Sequence, residues 1–261
     1  MESAVSGENI KKEANMRKEK VSVCMACYNG ATYIEEQINS ILPQLSEEDE
    51  LLIIDDGSSD NTEEVIRTID DARIKYVKNE KNLGVNRSFE KAIKMSKNHF
   101  IFMADQDDLW TDGRLECMLD ELCKGKMLVS GNSEAIDATG GKSDYDLGFL
   151  YAEDSNAYQK NIVRIFTGKA YYYGCAMAFR RELNKLILPF PEYIESHDLW
   201  IAMAANMAKS NSHIEEIVLK RRIHGKNASV LQRKLTEKLY SRWIFAKSYL
   251  TLRWRLLRSG I

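Results

Sequence analysis

Two apolar runs in the first half of the chain end abruptly in acidic residues. The first reads FIFMADQDD at residues 100–108, and the second reads LLIIDDGS at residues 51–58. Several carboxylates at the end of a buried run need water, cations or a bound metal with its anionic ligand, because unpaired buried charges are costly. In parallel sheets such ends meet at one edge. The two runs therefore predict a single polar site at the carboxyl edge of a parallel sheet.

The segments around these acids alternate between strand and helix patterns. Apolar strand runs lie near residues 21–27, 51–54, 74–77 and 100–104, and between them apolar residues recur at helical spacing, as in Ile34, Ile38 and Ile41. This alternation predicts a doubly wound α/β sheet. Short strands are also expected at 127–129, 176–179 and 217–219, and a helix is expected to begin near Asp198. Residues 131–165 permit no assignment.

The composition sets further bounds. A chain of 261 residues with 44% hydrophobic and 29% charged residues is expected to form one large globular domain. Its net charge of -2 provides no general attraction to nucleic acid. Five scattered cysteines indicate a reducing, cytoplasmic environment, and the pair Cys24 and Cys27 has no second pair with which to form a metal site. The polar stretch 1–19 is expected to be a flexible leader, not a signal peptide.

The end of the chain is basic and helical in pattern. From Leu231 onward, apolar residues recur every three or four positions, and Glu237 is the single acid among eight basic residues. Such a helix either packs on the protein body or lies on an anionic membrane surface through its basic, aromatic face. The sequence leaves both readings open. No apolar run reaches the length needed to span a bilayer.

The acids suit a divalent cation together with a sugar-bearing nucleotide. Carboxylate oxygens bind such a cation and also accept hydrogen bonds from ribose hydroxyls or a base N–H. The motifs G-x-x-x-x-G-K-[ST] and G-x-G-x-x-G are both absent, which argues against a P-loop NTPase and a dinucleotide-dependent dehydrogenase. Either acidic pair alone could be a solvated loop. Their shared position at strand ends favours a site.

Four motifs in order carry a family resemblance: VSVCMACYNG at 21–30, IDDGSSDNT at 54–62, NLG at 82–84 and DQDD at 105–108. This set resembles family 2 glycosyltransferases of the GT-A fold, over roughly residues 20–230. Gly174-Cys175, HDLW at 197–200 and R-x-H-x-x-N at 222–227 are similar to bacterial rhamnosyltransferase-like members. The chain lacks the Q-x-x-R-W motif and the membrane-spanning bundle of processive polysaccharide synthases, so transfer of a single sugar is implied.

The resemblance implies an α/β protein with a Rossmann-like, mostly parallel central sheet flanked by helices, and a C-terminal helical extension. The GT-A domain is expected at 20–230, with a nucleotide-binding half at 20–110 and an acceptor-side half at 111–230. The basic amphipathic helix would occupy 231–261.

The resemblance also implies roles for individual residues. The nucleotide-sugar pocket would be formed by Ala26, Tyr28, Asn29, Asp56, Arg87, Asp105 and Gln106. The second acid of the D-x-D motif, Asp107, would hold Mn²⁺ or Mg²⁺ with His224, and Asp198 would be the catalytic base. Four neighbours would support the metal or contact the acceptor: Asp108, Trp110, His197 and Trp200.

Each main assignment has a plainer alternative. Asp198 could cap the helix that it begins, His224 could be a loop histidine, and Arg87 could be a solvated helix charge. Many relatives carry an acid where this chain has His197, which leaves the details of acceptor binding open.

The implied activity is inverting, metal-dependent transfer of one sugar from a nucleotide-diphosphate sugar. The leading donor is dTDP-L-rhamnose, with a UDP-hexose as the alternative. The acceptor would be a saccharide or lipid-linked saccharide in cell-surface polysaccharide synthesis, reached from the cytoplasm or the inner membrane face. A homodimer stays open. The competing interpretation is a non-catalytic nucleotide-sugar or glycan-binding protein. A nucleotidyltransferase would need a glycine-rich, basic loop near the amino terminus, and none is visible.

Overall fold

The computed structural model describes residues 17–224 and 235–261. Its first half alternates strands and helices as the sequence predicts. Continuous apolar runs form the strands, and amphipathic segments between them form the helices. In chain order these are β1 (Val21–Cys27), α1 (Ile34–Ile41), β2 (Glu50–Asp55), α2 (Thr62–Arg67), β3 (Ile74–Lys78), α3 (Val85–Met95) and β4 (Phe100–Asp105).

The second half returns to the same sheet with longer and less regular connections. The elements are β5 (Leu109–Trp110), α4 (Arg114–Cys123), β6 (Leu128–Ile136), α5 (Tyr158–Thr167), β7 (Met177–Arg180), α6 (Asn184–Ile187), α7 (His197–Met207), β8 (Asn211–Arg222) and α8 (Leu235–Ser259).

The described strands form one eight-stranded sheet in the order β3-β2-β1-β4-β7-β6-β8-β5. Neighbours run parallel from β3 to β4 and between β6 and β8, and antiparallel elsewhere. Ala26 at the end of β1 is opposite Ile54 on one side and Asp105 on the other. The two acidic strand ends therefore flank β1 at one edge, as predicted.

Helices cover both faces of the sheet. On one face α1 and α4 pack against Val23 and Met25, while on the other α3 and α7 pack against Cys24 and Ile101. All seven residues of β1 are buried, which is expected of a strand covered on both sides. The α/β class and the mostly parallel, helix-flanked sheet are confirmed. Cys24 and Cys27 are buried free thiols within β1.

The sequence underestimates two strands and one helix. The short runs expected at 127–129 and 217–219 lie within β6 and β8, of nine and twelve residues. Their parallel pairing shifts register between Ser130 and Ser133, and β8 has three consecutive exposed residues, so neither strand shows regular alternation. Helix α5 begins in the stretch that permitted no assignment and ends two residues beyond it, with Asn161, Ile162 and Ile165 as its buried residues.

Helix α8 packs on the body through residues in its middle and second half. Leu252 is buried, and the Arg255 guanidinium donates to the backbone oxygens of Leu186 and Pro189 at 2.7 Å each. The hydroxyls of Tyr193 and Thr251 are 2.6 Å apart. The expected start of this helix, from Leu231, lies outside the described residues, as does Asn227. Over the described ranges, no helix combines the length and hydropathy that crossing a bilayer requires.

Candidate active site

At the end of β2, Asp56 fixes the turn that follows β3. Its carboxylate accepts hydrogen bonds from the backbone N–H groups of Leu83 and Gly84 at 2.9 and 2.8 Å, and from the Asn79 amide at 2.8 Å. The residue is 3% exposed. Asp56 thus joins the IDDGSSDNT and NLG motifs into one structural unit. The neighbouring Asp55 accepts from Ser58 N–H and the Tyr76 hydroxyl instead.

The loop after β1 is held by the side chain of Gln106. The Gln106 carboxamide accepts from Tyr28 N–H at 2.8 Å and donates to Tyr28 O at 3.2 Å, as a paired strand would. A Cβ on Gly30 would collide with this carboxamide. Asn29 has a positive φ of 49° and its side chain accepts from Ser59 N–H. The Tyr28 side chain is 46% exposed, which leaves its ring available to a ligand.

The acids after β4 point in different directions. The Asp107 carboxylate lies 2.8 Å from Nε2 of His224, and the His224 ring stacks on Tyr33 with centroids 5.3 Å apart. The Asp108 carboxylate accepts from the Arg222 backbone N–H at 3.0 Å. Asp105 closes β4, and its backbone oxygen accepts from the Gln37 amide. Two residues predicted to hold a metal, Asp107 and His224, are thus adjacent although 117 positions separate them in the chain.

Arg222, at the end of β8, binds the segment that carries these acids. Its Nε donates to Asp107 O at 3.0 Å, its Nη2 donates to the Glu36 carboxylate at 2.6 Å, and the guanidinium lies over the Tyr33 ring. The residue is 2% exposed. Because the same strand end leads into His224, Arg222 couples the position of the acids to that of the histidine.

Burial and mutual repulsion keep protons on part of the acidic cluster. Desolvation, with the charges of Asp105 and Asp107, raises the pKa of Asp108 to about 8. Desolvation and the neighbouring Asp107 also raise the pKa of Asp105. One oxygen of Asp108, Oδ2, is buried with no hydrogen-bond partner among the described residues. A cation would relieve both the repulsion and the unpaired oxygen.

The donor set fits a hard divalent cation. Asp105, Asp108 and Cys175 can bring ligand atoms within 4.8 Å of one another, and Asp107 with His224 lies in the same loop system. Burial raises the pKa of the Cys175 thiol well above its usual value, so this sulfur stays protonated and is a poor ligand. The oxygens of the acids and the His224 imidazole are the better ligands for Mn²⁺ or Mg²⁺.

Asp198 lies in the first turn of α7. Its carboxylate accepts from Leu199 N–H at 2.7 Å, while the helix cap is Ser196, whose side chain also receives Leu199 N–H. Desolvation by burial raises the pKa of Asp198, and Asp198 in turn contributes to the raised pKa of Asp105. Asp198 therefore shares the Leu199 N–H with Ser196, whose oxygen is farther away at 3.5 Å. It also lies within electrostatic reach of the D-x-D acids.

His197 is a buried, neutral ring beside Asp198. Its backbone N–H donates to the Asn86 side-chain oxygen at 3.0 Å, its ring Nδ1 lies 3.2 Å from the same oxygen, and the ring packs on Phe89. Desolvation lowers the pKa of His197 to about 4. A Cβ on Gly174 would lie 2.6 Å from His197 Nε2 and 3.4 Å from Asp198 Cβ. Only glycine at position 174 fits this close approach.

Arg221 is a site residue that sequence reasoning missed. Its guanidinium lies 4.2 Å over the Tyr173 ring. Burial lowers the pKa of Arg221, but the neighbouring Asp105 and Asp108 carboxylates outweigh this effect and leave the pKa above its usual value. Arg221 also counteracts the raised pKa of Asp198. The doublet at 221–222 ends β8, and strand alternation sends neighbouring side chains to opposite faces. That period could have assigned one arginine to each side of the acids.

Three predicted site residues have their contacts elsewhere. Arg87 donates to the Glu90 carboxylate and, at 3.0 Å, to Phe190 O. Trp110 is 5% exposed beneath the Arg114 guanidinium, and Trp200 is 2% exposed with its Nε1 donating to Ile187 O. Arg114 is itself buried, and desolvation lowers its pKa to about 10. Both tryptophans therefore pack in the core around the site.

Comparison with known proteins agrees with this geometry. A family model described as Glycosyl transferase family 2 matches residues 22–188. The chain is 31% identical over 186 residues to the Escherichia coli protein UDP-Glc:alpha-D-GlcNAc-diphosphoundecaprenol beta-1,3-glucosyltransferase WfgD, covering 70% of this chain and 69% of that one. It is 29% identical to the Bacillus subtilis putative teichuronic acid biosynthesis glycosyltransferase TuaG, over 58% of this chain and 60% of that one.

Solved structures share the fold at lower identity. S. aureus TarS 1-349 in complex with UDP-GlcNAc matches with a TM-score of 0.68 and 20% identity, over 88% of this chain and 66% of that one. The mannosyltransferase PcManGT from Pyrobaculum calidifontis, in complex with GDP-Man and Mn²⁺, matches with a TM-score of 0.60 and 15% identity, over 98% and 82%. The match of the family model across most of the sheet, the WfgD similarity and this shared architecture show that the chain belongs to glycosyltransferase family 2, with the GT-A fold.

Proposed function

We propose that this protein transfers one sugar, with inversion, from a nucleotide-diphosphate sugar to a saccharide or lipid-linked saccharide acceptor, and that transfer depends on a divalent metal. The observation that carries the proposal is the convergence of the D-x-D acids, His224 and the buried carboxyl of Asp198 at the carboxyl edge of the sheet. Residues 20–230 would form the catalytic unit, and residues 231–261 would form a helical extension.

The nucleotide would bind along the ends of β1, β2 and β4. Asp56 holds the turn that closes this side, and the exposed Tyr28 ring offers an aromatic surface to the base. The carboxylate of Asp105 would accept hydrogen bonds from the ribose hydroxyls. Ala26 lies near the end of β1, and Asn29 and Gln106 shape the loop that follows it. Arg87 would have to leave Glu90 and Phe190 in order to reach a ligand.

The metal would be held by Asp107 and His224, with Asp105 and Asp108 nearby. A divalent cation bound there would supply positive charge to offset the negative charge of the departing diphosphate. Support comes from the unpaired Asp108 oxygen and from the buried, mutually repelling carboxyls. The Mn²⁺ in the PcManGT complex agrees with this proposal.

Asp198 would act as the base on the acceptor. Its carboxylate takes the proton of the acceptor hydroxyl while that oxygen forms a bond to the anomeric carbon. The bond from the anomeric carbon to the diphosphate oxygen breaks on the opposite face. A pKa raised by burial suits this role, because it increases the affinity of the carboxylate for the proton. Gly174 allows the close approach of His197 that fixes the first turn of α7.

Two donors deserve direct comparison. The motifs at 174–175, 197–200 and 222–227 resemble rhamnosyltransferases and favour dTDP-L-rhamnose. The names of similar proteins favour a UDP-hexose, since WfgD is described as using UDP-Glc and TarS was solved with UDP-GlcNAc. A panel of nucleotide sugars, scored by metal-dependent hydrolysis, distinguishes them. Turnover of one sugar with Mn²⁺ and none with chelator is the expected result.

The acceptor proposal follows from the WfgD name, which specifies a sugar on diphosphoundecaprenol. An acceptor of this kind would be reached from the cytoplasmic face of the membrane and would serve cell-surface polysaccharide synthesis. The alternative is a binding protein that holds nucleotide sugar without turnover. Calorimetry separates the two proposals when it is combined with the hydrolysis assay, because nucleotide binding without metal-dependent turnover of any sugar would favour the non-catalytic protein.

A further inference from the structure

Helix α8 has an exposed apolar stripe on the side away from the body. Five large apolar residues are between 54% and 80% exposed: Leu239, Trp243, Leu250, Trp254 and Leu257. At about 100° per residue they lie within about 60° of one another around the helix axis. The stripe extends over roughly 27 Å at about 1.5 Å per residue.

Helix α8 contacts the body through the side opposite the stripe. Ile244, Ser248 and Leu252 are buried against the body and lie roughly opposite the stripe. A surface helix normally pairs a buried apolar face with a polar outer face. The outer stripe therefore adds nothing to the described packing, and five large apolar side chains in one line exceed the scattered exposure usual for a surface.

Basic residues border the stripe on both sides. Arg242 and Arg253 lie on one border, and Lys247 and Arg258 lie on the other. The Arg258 guanidinium stacks on the Trp254 ring at 3.9 Å, and Lys247 lies over Trp243 at 5.2 Å. The sequence has no Asp or Glu from residue 239 to residue 261. The charged side chains that α8 itself contributes beside the stripe are thus all positive.

We propose that this face of α8 docks on an anionic lipid surface, with the helix lying in the plane of the membrane. Apolar side chains enter the boundary between head groups and acyl chains, tryptophans lie at head-group depth, and the flanking cations contact anionic head groups. Charge complementarity favours an anionic lipid surface over a second copy of the chain. In a dimer through this face, the basic residues beside one stripe would face the same basic residues of the other copy. The proposal is independent of glycosyl transfer.

Co-sedimentation with vesicles tests it, without nucleotide or metal. The probes are phosphatidylcholine vesicles with and without about one third phosphatidylglycerol. The full chain should sediment with the anionic vesicles and release at high salt. Arg253→Glu/Arg258→Glu should weaken partitioning by at least about tenfold. Leu250→Ala/Trp254→Ala should weaken it about tenfold or more through lost apolar contact.

Two matched control variants distinguish a specific effect of the stripe from a general change in charge or exposed apolar area. Lys97→Glu/Lys124→Glu changes the net charge equally at exposed positions away from α8, and Met95→Ala/Val163→Ala removes exposed apolar surface elsewhere. Both should bind like the unmodified chain. Equal losses in the control and stripe variants would overturn the proposal, as would absence of binding to anionic vesicles. Sedimentation velocity showing a dimer that Leu250→Ala/Trp254→Ala dissociates, with no vesicle binding, would assign the stripe to a second copy instead.

Discussion

Replacing Gly174 with alanine should disturb the proposed base more than any part of the nucleotide side. The added Cβ would lie 2.6 Å from Nε2 and 3.3 Å from Cδ2 of His197. The ring has no room to retreat, because Asn86 holds its Nδ1 and Phe89 packs on its face. Overpacking of this kind costs about 1–3 kcal/mol of unfolding free energy. We expect the melting temperature to fall by about 2–4 °C for each kcal/mol.

The same substitution should reduce turnover. A displacement of about 1 Å in the first turn of α7 would move Asp198 relative to the acceptor, and such misplacement costs about a hundredfold. Donor binding, measured by calorimetry, should change less. In a double-mutant cycle with His197→Ala, the combined cost to stability should be smaller than the sum of the single costs, since the clash is removed. Strict additivity of the two stability costs, or full activity of Gly174→Ala, would show that no clash with His197 displaces Asp198.

Other contacts give further expectations. Asp56→Ala should cost about 1–3 kcal/mol and weaken nucleotide binding, because Asn79 and the turn at Leu83 lose their acceptor, whereas the exposed control Asp70→Ala should do neither. Arg222→Lys should lower metal affinity by about 10–100-fold through lost support of the Asp107 segment, with exposed Arg67→Lys as its control. Burial lowers the pKa of His197 to about 4 in the folded protein. As pH falls from 6.5 to 4, His197 is therefore protonated in the unfolded state before it is protonated in the folded state. The His197 contribution to the unfolding free energy should therefore fall by up to about 3 kcal/mol over that range. Comparison with His197→Asn in denaturant titrations isolates this contribution from the opposite one of Asp108, whose pKa is raised.

Patterns that repeat over a few residues predict the first half of the fold. The first four strands and their helices follow from apolar runs and helical spacing. The acidic ends of β2 and β4 flank β1, as expected for parallel strands. The strands β6 and β8 were underestimated because a register shift and three exposed residues break their alternation. Long-range pairing, which the sequence does not display, extends them.

In the candidate site, too, the sequence predicts some residues but not the contacts that depend on distant parts of the chain. Sequence motifs predict the acids, His224 and Asp198 as site residues. The structure places Asp107 beside His224, 117 positions away in the chain. The contacts of Asp56, Gln106 and Arg222 with backbone groups could not be read from residue types, because they depend on loop geometry. The alternation of β8 could have placed Arg221 on the side of the acids, but its contact with Tyr173 also depends on a segment without a regular pattern.

The most direct test of the account is Asp198→Asn, measured in two assays on the same preparation. The amide keeps the shape of the side chain and can still accept from Leu199 N–H, but it cannot take a proton from the acceptor. We predict that calorimetry with nucleotide diphosphate and Mn²⁺ gives the affinity of the unmodified protein, while sugar transfer falls by about 10²–10⁴-fold. Transfer at a near-normal rate by this variant would contradict the central claim that Asp198 is the base.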